Sequence, residues 1–396
     1  MNSADVTDLL TGPGAGLMLQ SALTGQQETP VPGFRYQIDA VHARPGAETS
    51  VGYQVWYQAG DQEVNDVLVA TTAEIEGQVQ ISLEGQTINI WRHPADPALP
   101  GLAAASDPEQ LASWTGQQPD RVRQRVYRPL RRAVIEFSSS NGGGRDTIWF
   151  AKIVRPKVLS GLAHRLQLAD EAGIGPRLAH VDPSGVLINE RAPGMPLADL
   201  LSAAQTGAGG PAPDALDMID ALDRLPPGLM ELPAYPSWTD RTNFHADLAK
   251  RVLPDQADEI TRIAQRIIEL NQQLPKGPLV PTHGDVYEAN VFWEGHNPTF
   301  IDLDHAGPGH RVDDLACVLA HLAVLPQLSP THYPHGTEVL TTWHAEFAKR
   351  CHPGALAVRV AGVLLSLIGA AQREPALHRL ELVRSWLYRA EMGSQD

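Results

Sequence analysis

Hydrophobic positions recur with a period of two through the first part of this chain and with helical spacing through the second. "RYQIDAVHA" (35–43), "SVGYQVWYQ" (50–58), "NDVLVATTA" (65–73) and "VQISLEGQTINIW" (79–91) alternate or are rich in β-branched residues, which predicts strands. Residues 1–33, partly Gly, Pro and Gln rich, read as loosely packed. The proline-rich "RHPADPALPGL" (92–102) joins this β unit to a second one. There "RVYRPLRRAVIEF" (125–137) and "TIWFAKIV" (147–154) read as strands around the turn "SSSNGGGR" (138–145). A faint echo between "ARPGAETSVGY" (43–53) and "YRPLRRAVIEF" (127–137) leaves duplication and coincidence both open.

From about residue 158 the period changes. "LSGLAHRLQLADEAG" (159–173) has helical spacing and a glycine stop, followed by the strand-like "PRLAHVD" and "GVLINERA". "TGAGGPAPDA" (206–215) reads as a flexible linker. Helices are predicted over 214–225, 243–252, 255–272, 312–326, 336–350, 356–372 and 375–393, with a short β insertion at 290–304. Strands first and helices second predict an α+β fold in two lobes. The expected division is a β-rich N-terminal extension at 1–110, a β-rich N-terminal lobe at 111–195 and a helical C-terminal lobe at 196–396.

Composition narrows the class. The 396 residues are 43% hydrophobic, enough for a substantial core. The chain has no run of eighteen apolar residues and no basic-then-apolar leader, so neither a transmembrane helix nor a secretory signal is expected. Cys317 and Cys351 are too few for a disulfide framework and read as reduced thiols. A net charge of −15 argues against nucleic-acid or anionic-membrane partners and would suit a cationic substrate. A cytoplasmic enzyme is the simplest expectation.

The chemistry concentrates in "THGDVYEANVFWEGHNPTFIDLDHAGPGH" (282–310). "NVFWE" and "PTFID" are strand-like, and Gly295, His296 and Asn297 fit a three-residue hairpin loop. In that register Asn290 falls opposite Asp302, and an amide oxygen and a carboxylate converge at the open end of the hairpin. Hard oxygen ligands of this kind suit Mg²⁺, which keeps its other positions for water and phosphate. Asp285, on the loop entering the hairpin, is placed to accept a proton from a hydroxyl. Asp304 shares the strand parity of Asp302 and reads equally as a ligand or as a structural hydrogen-bonding group. His305 and His310 lack the HxH or HExxH spacing of a zinc site.

His283-Gly284-Asp285, Asn290 and Ile301-Asp302 together resemble the HGDxxxxN and ID signature of the aminoglycoside phosphotransferase and choline kinase family, small-molecule kinases with a bilobal protein-kinase-like fold. The resemblance covers residues 120 to 390. It implies that Asp285 is the catalytic base, that Asn290 and Asp302 hold Mg²⁺ on the nucleotide, that His283 braces the loop, and that Asp314 accepts backbone N–H bonds from it and caps its own helix. Lys152, an ammonium inside a strand, needs an anion unless it lies at a sheet edge and reaches water. The family places such a lysine on the α/β phosphates of ATP. The slot of the family's phosphate loop is "YRPLRRA" (127–133), which has no glycine; Arg131 and Arg132 are the candidates to assist there. "SSSNGGGR" reads instead as a distal hairpin turn. No residue of 159–173 stands out as the glutamate partner of Lys152. "LINERAPG" (187–194) fits the segment that offers backbone groups to adenine, which brings Glu190 and Ala192 to the nucleotide. The β-rich extension is similar in architecture to the maltokinase and glucosamine kinase branch.

The reading implied is an ATP- and Mg²⁺-dependent phosphotransferase acting on a hydroxyl of a small molecule such as an amino sugar, sugar or aminoglycoside. Its partners are a nucleotide and that acceptor. A kinase-like nucleotide-binding protein without turnover and a metal-dependent phosphohydrolase are the alternatives.

Overall fold

A computed structural model describes residues 3–25, 30–43, 48–76, 78–83, 85–141, 145–206 and 213–393. The chain forms two compact units, Met1–Ser160 with Leu178–Arg191, and Gly161–Arg177 with Ala192–Asp396.

The first unit opens with two helices, α1 (Ser3–Thr11) and α2 (Ala15–Thr24), followed by the strands β1 (Arg35–Ala43), β2 (Thr49–Ala59), β3 (Gln62–Thr71), β4 (Val79–Leu83) and β5 (Gln86–Arg92). The strands form an antiparallel sheet of order β1-β2-β3-β5-β4. Alternate side chains Val51, Tyr53, Val55, Leu68 and Ala70 face one side, where Leu9, Leu10, Met18 and Leu19 of the two helices pack on them. The Tyr53 hydroxyl donates to the Leu10 carbonyl at 2.6 Å. The expectation of a loosely packed N-terminus is therefore corrected for residues 3–24. Each buried leucine there contributes about 1.5–3 kcal/mol, which outweighs the weak helix propensity of the Gly- and Gln-containing stretch.

The connector continues into α3 (Leu102–Ala105) and α4 (Pro108–Thr115). Asp107 caps α4 by accepting the Glu109 N–H, Pro108 occupies the first turn, and Gly116 ends the helix in the left-handed conformation. A second antiparallel sheet follows, made of β6 (Arg121–Arg128), β7 (Arg132–Asn141), β8 (Arg145–Val154), β9 (Leu178–Asp182) and β10 (Val186–Glu190), in the order β6-β7-β8-β10-β9. The helix α5 (Pro156–Glu171) leaves β8 and continues into the second unit. Leu102, Ala105 and Leu111 of α3 and α4 cover one face of this sheet, against Ala133, Ile135, Phe137, Ala151, Ile153, Val186 and Ile188. The β6–β7 turn is held from outside the sheet. Buried Asp96 of the connector accepts the Tyr127 hydroxyl and the Leu130 N–H on the same oxygen, each at 2.8 Å, and Leu130 has φ 63°. Of the turn between β7 and β8, residues 142–144 lie outside the described residues, as do Arg44 and Pro45 of the sequence echo and 207–212 of the expected linker.

After α5, the second unit continues with β11 (Met195–Pro196), α6 (Leu197–Thr206), α7 (Ala215–Asp223), α8 (Thr242–Val252) and α9 (Ala257–Gln273). Then come β12 (Leu279–Thr282), β13 (Val291–Glu294), β14 (Asn297–Phe300) and β15 (Gly307–His310), which form the small sheets β11-β13-β14 and β12-β15. The chain ends in α10 (Arg311–Leu328), α11 (Gly336–Phe347), α12 (Pro353–Ile368) and α13 (Arg373–Met392). α12 is apolar on nearly every side and is surrounded by α8, α9, α10 and α13. Its Arg359, 1% exposed, pairs with Asp313 at 2.9 Å, as a buried charge requires. Among the described residues no helix is long and apolar enough to cross a membrane.

Candidate active site

The loop 283–290 leaves β12 and is fixed from below by α10. Asp314, fully buried in the first turn of α10, accepts the N–H of His283 on one oxygen at 3.1 Å and that of Gly284 on the other at 2.9 Å. Arg311 Nη1 completes its shell at 3.0 Å. The residue at the cap position of α10 is His310 rather than Asp314. Gly284 has φ 81°, and a Cβ there would lie 2.8 Å from the His305 carbonyl oxygen, so the turn requires glycine. His283 is fully buried. Its Nδ1 accepts the Asp285 N–H at 3.3 Å, so Nε2 carries the proton and donates to the Ile301 carbonyl at 3.0 Å. Burial pushes the imidazole pKa down and keeps it neutral, which this bonding pattern needs. The ring thus joins the loop bearing Asp285 to the segment bearing Asp302.

The hairpin departs from the expected register. Glu294 pairs with Asn297 and Val291 with Phe300, so the loop has two residues, Gly295 and His296, with Gly295 at φ 61°. Asn290 therefore meets Ile301, whose N–H donates to the Asn290 carbonyl at 3.0 Å, and is not opposite Asp302. Asp302 has left the strand in the left-handed conformation, φ 58° and ψ 50°, and Leu303–His305 form a 3-10 turn. The parity argument for Asp304 falls with the strand, which ends at Phe300. Asn290 Nδ2 donates to the Asp285 carbonyl at 3.0 Å, which leaves the amide oxygen as the acceptor end of a buried side chain. One amide oxygen and one carboxylate suit Mg²⁺ held mainly by phosphate oxygens and water. Among the described residues no group of three His, Cys, Asp or Glu forms an all-protein metal cage.

Asp285 opens onto a cavity of about 180 Å³ lined by Trp238, Tyr287, His321, Val363, Ser366 and Leu367. Trp238 and Val363 also line a larger neighbour of about 440 Å³, with Tyr235, Asp240, Arg241, His305 and Asp313. The Tyr287 ring stacks on His321 with centroids 4.4 Å apart. Burial, followed by nearby Asp285 and Asp302, pushes the Tyr287 hydroxyl up to about 12. Burial also takes His321 down to about 4 and Glu288 up to about 6. The three carboxylates of the larger cavity are matched: Asp240 by Lys276 at 3.6 Å, Asp313 by Arg359 at 2.9 Å and Asp314 by Arg311 at 3.0 Å.

Of the remaining candidates, Arg131, Arg132, Lys152 and Glu190 belong to the first unit and Ala192 to the second. Lys152 sits on β8, the central strand of the second sheet, between Val134 of β7 and Leu187 of β10. An edge position is thereby excluded. It lies on the face opposite the one covered by α3 and α4. Arg131 ends the β6–β7 turn, its N–H donating to the Arg128 carbonyl at 3.0 Å, and Arg132 starts β7. Glu190 ends β10 opposite Trp149, and Ala192 is buried at the start of the second unit's main segment. Sequence reading missed Trp238, Tyr287 and His321. The signal for Trp238 was the close pair of aromatic residues in "AYPSW" (234–238), and Tyr287 lay inside the motif itself.

Residues 149–333 match the family model described as the phosphotransferase enzyme family, APH. No curated protein sequence matches the chain. Three solved structures illustrate what it is similar to. A choline/ethanolamine kinase family protein from Mesorhizobium loti is 16% identical with a TM-score of 0.47, covering 73% of this chain and 96% of that one. The amicoumacin kinase hAmiN is 11% identical with a TM-score of 0.45, covering 70% and 91%. A thermostable mutant of the aminoglycoside phosphotransferase APH(4)-Ia is 15% identical with a TM-score of 0.42, covering 73% and 98%. Lys152, the 283–290 loop and Asp302 all lie inside the segment, residues 149–333, that is similar to the phosphotransferase enzyme family, APH.

Proposed function

We propose that the protein transfers the γ-phosphoryl group of ATP to a hydroxyl of a small, uncharged polyol such as a sugar. The observation that carries this reading is Asp285, on a loop fixed by Asp314 and His283, opening onto an aromatic cavity. Asp285 orients the acceptor hydroxyl and takes its proton as the new O–P bond forms and the bond to ADP breaks. Asn290 and Asp302 would hold Mg²⁺, which neutralises charge on the phosphates when bound. Asp304 is a further candidate ligand. Lys152, assisted by Arg131 and Arg132 where β7 begins, would bind the phosphates, and the 190–192 segment the adenine. Positioning and electrostatics supply most of the rate, with no covalent enzyme intermediate.

The acceptor class follows from the walls. Polycationic aminoglycosides need unmatched carboxylates, whereas those of the larger cavity are already paired. Trp238, Tyr235 and Tyr287 offer flat apolar faces suited to the CH-rich side of a sugar ring. Asp217, Asp220 and Glu346, acidic residues on the surrounding helices, line neither cavity; Asp217 pairs with His296 at 2.8 Å and Glu346 with Lys349 at 2.7 Å.

The test is ADP release from Mg·ATP with a panel of neutral sugars, amino sugars, aminoglycosides and amino alcohols. A neutral sugar is expected to stimulate release, and Asp285→Asn to lower turnover by roughly 10²–10⁴-fold with folding preserved. Phosphate release without any acceptor would favour a hydrolase. Unchanged turnover in Asp285→Asn would remove the assigned base.

A further inference from the structure

The two sheets of the first unit are built to one plan. Each follows a pair of helices, and the order β1-β2-β3-β5-β4 is repeated as β6-β7-β8-β10-β9. Each carries a register shift in its first strand, between Ile38 and Ala40 and between Gln124 and Val126. The pairing then aligns them residue by residue. Gly52 pairs with Ala40 and Val69, as Val134 pairs with Val126 and Lys152. Val69 continues to Trp91 as Lys152 continues to Leu187. The helix-covered faces also agree, Val51, Tyr53, Leu68 and Ala70 matching Ala133, Ile135, Ala151 and Ile153. Val69 thus stands in the first sheet where Lys152 stands in the second.

The corresponding face of the first sheet lines a cavity of about 380 Å³, within the range of small-ligand sites. Gly52, Gln54, Val67 and Val69 form one side, and Gln124 and Tyr127 of β6 the other, with His42 and His93 at the margin. With valine in the lysine position, this face offers no cation to a polyphosphate. Burial holds both imidazoles below the usual range and so uncharged at neutral pH, and Arg125 is paired with Glu136 at 2.7 Å. Asp39 Oδ2 reaches over Gly52, 4.0 Å from where a Cβ would stand. The buried Nδ1 of His93 has no hydrogen-bond partner. The lining is therefore mostly uncharged, with neutral donors and acceptors beside the Asp39 carboxylate and the paired guanidinium of Arg125.

We propose that the first sheet is a tandem copy of the second and that its Gly52–Val69 face is a separate binding site for a small uncharged polyhydroxyl molecule, a mono- or disaccharide. The comparison with Lys152 rests on the nucleotide reading above, whereas the cavity and its chemistry do not.

The test is calorimetric titration of the full chain, without nucleotide, with D-glucose and maltose, and with glucose 6-phosphate as the charged control. A neutral sugar is expected to bind. Gly52→Phe, whose first side-chain atom meets nothing closer than 4.0 Å, should fill the cavity and weaken binding at least tenfold. The Gln54→Ala, Gln124→Ala double variant should do the same without adding bulk, and decides the matter if the phenylalanine variant does not fold. Asp285→Asn and Lys152→Met should leave this affinity unchanged. No binding of either sugar, affinity insensitive to the cavity variants, equal binding of the phosphosugar, or loss of binding in Asp285→Asn would each overturn the proposal. Sugar binding that is lost in the cavity variants, in a protein that transfers no phosphoryl group, would sink the kinase reading alone.

Discussion

Asp314 supplies the most quantitative prediction. Asp314→Asn keeps the shape of a fully buried side chain but replaces one acceptor oxygen with an NH2 group. The carboxylate serves the His283 and Gly284 N–H groups on separate oxygens. Whichever way the amide turns, one backbone N–H then faces a donor. One charge-assisted hydrogen bond is lost and one buried N–H is left unpaired, which together cost about 2–4 kcal/mol. Arg311 is not stranded, because it keeps the Leu222 carbonyl at 2.7 Å and Asp223 at 3.3 Å. The loop, rather than the helix, should therefore loosen. Native-state amide exchange reads this directly. The His283 and Gly284 amides should exchange about 30- to 1,000-fold faster, at 1.36 kcal/mol per tenfold, while amides in the middle of α12 change far less. Protection at both loop amides within threefold of the parent would show that the carboxylate does not hold the loop.

Two further changes probe the same unit. Gly284→Ala forces a Cβ to 2.8 Å from the His305 carbonyl at φ 81°, and should cost about 2 kcal/mol or more in urea unfolding; a loss under 0.5 kcal/mol would mean the turn has another conformation available. His245, 3% exposed, has its pKa lowered to about 4, by burial first and then by Arg241. The unfolded chain binds this proton from about pH 6.5 downward and the folded chain only near pH 4, so the stabilisation is complete above 6.5 and is lost as pH falls towards 4. Between pH 7 and 5 the loss is about 2 kcal/mol. His245→Gln should remove that part of the difference in unfolding free energy, and an unaltered pH slope would contradict the assignment.

What the sequence disclosed followed the density of local signals. The 282–310 motif was legible because its residues are close in the chain and differ in type from their apolar surroundings. The helices of the second unit from α7 onward were legible from spacing alone, whereas α6 was not. α4 carried Asp107, Pro108 and Gly116 as start and stop signals, yet it went unassigned because the helix they bound has only eight residues. α1 and α2 were obscured by composition, although Ala15, Met18, Leu19, Ala22 and Leu23 of α2 already had helical spacing. The one-residue error in the β13–β14 register came from counting Asn297 into the loop. A two-residue turn with glycine in the left-handed region is the more compact solution, and it moved Asp302 out of the strand. The likeness of the two sheets was hidden for a different reason. Strand order and pairing are non-local, and the residues that occupy matched positions, such as Val69 and Lys152, share no chemistry.

The buried carboxylate of Asp96 has a consequence for how the protein can be divided. It is contributed from outside the matched family segment, yet it holds the turn that precedes Arg131 and Arg132. A shortened chain starting at Gly101 would strip two hydrogen bonds from Tyr127 and Leu130 and leave a non-glycine residue at φ 63° with nothing to hold it there. Transplanting the family-matched segment with its sheet into another scaffold therefore requires carrying the connector with it, and exchange of N-terminal modules between related chains must cut ahead of residue 96.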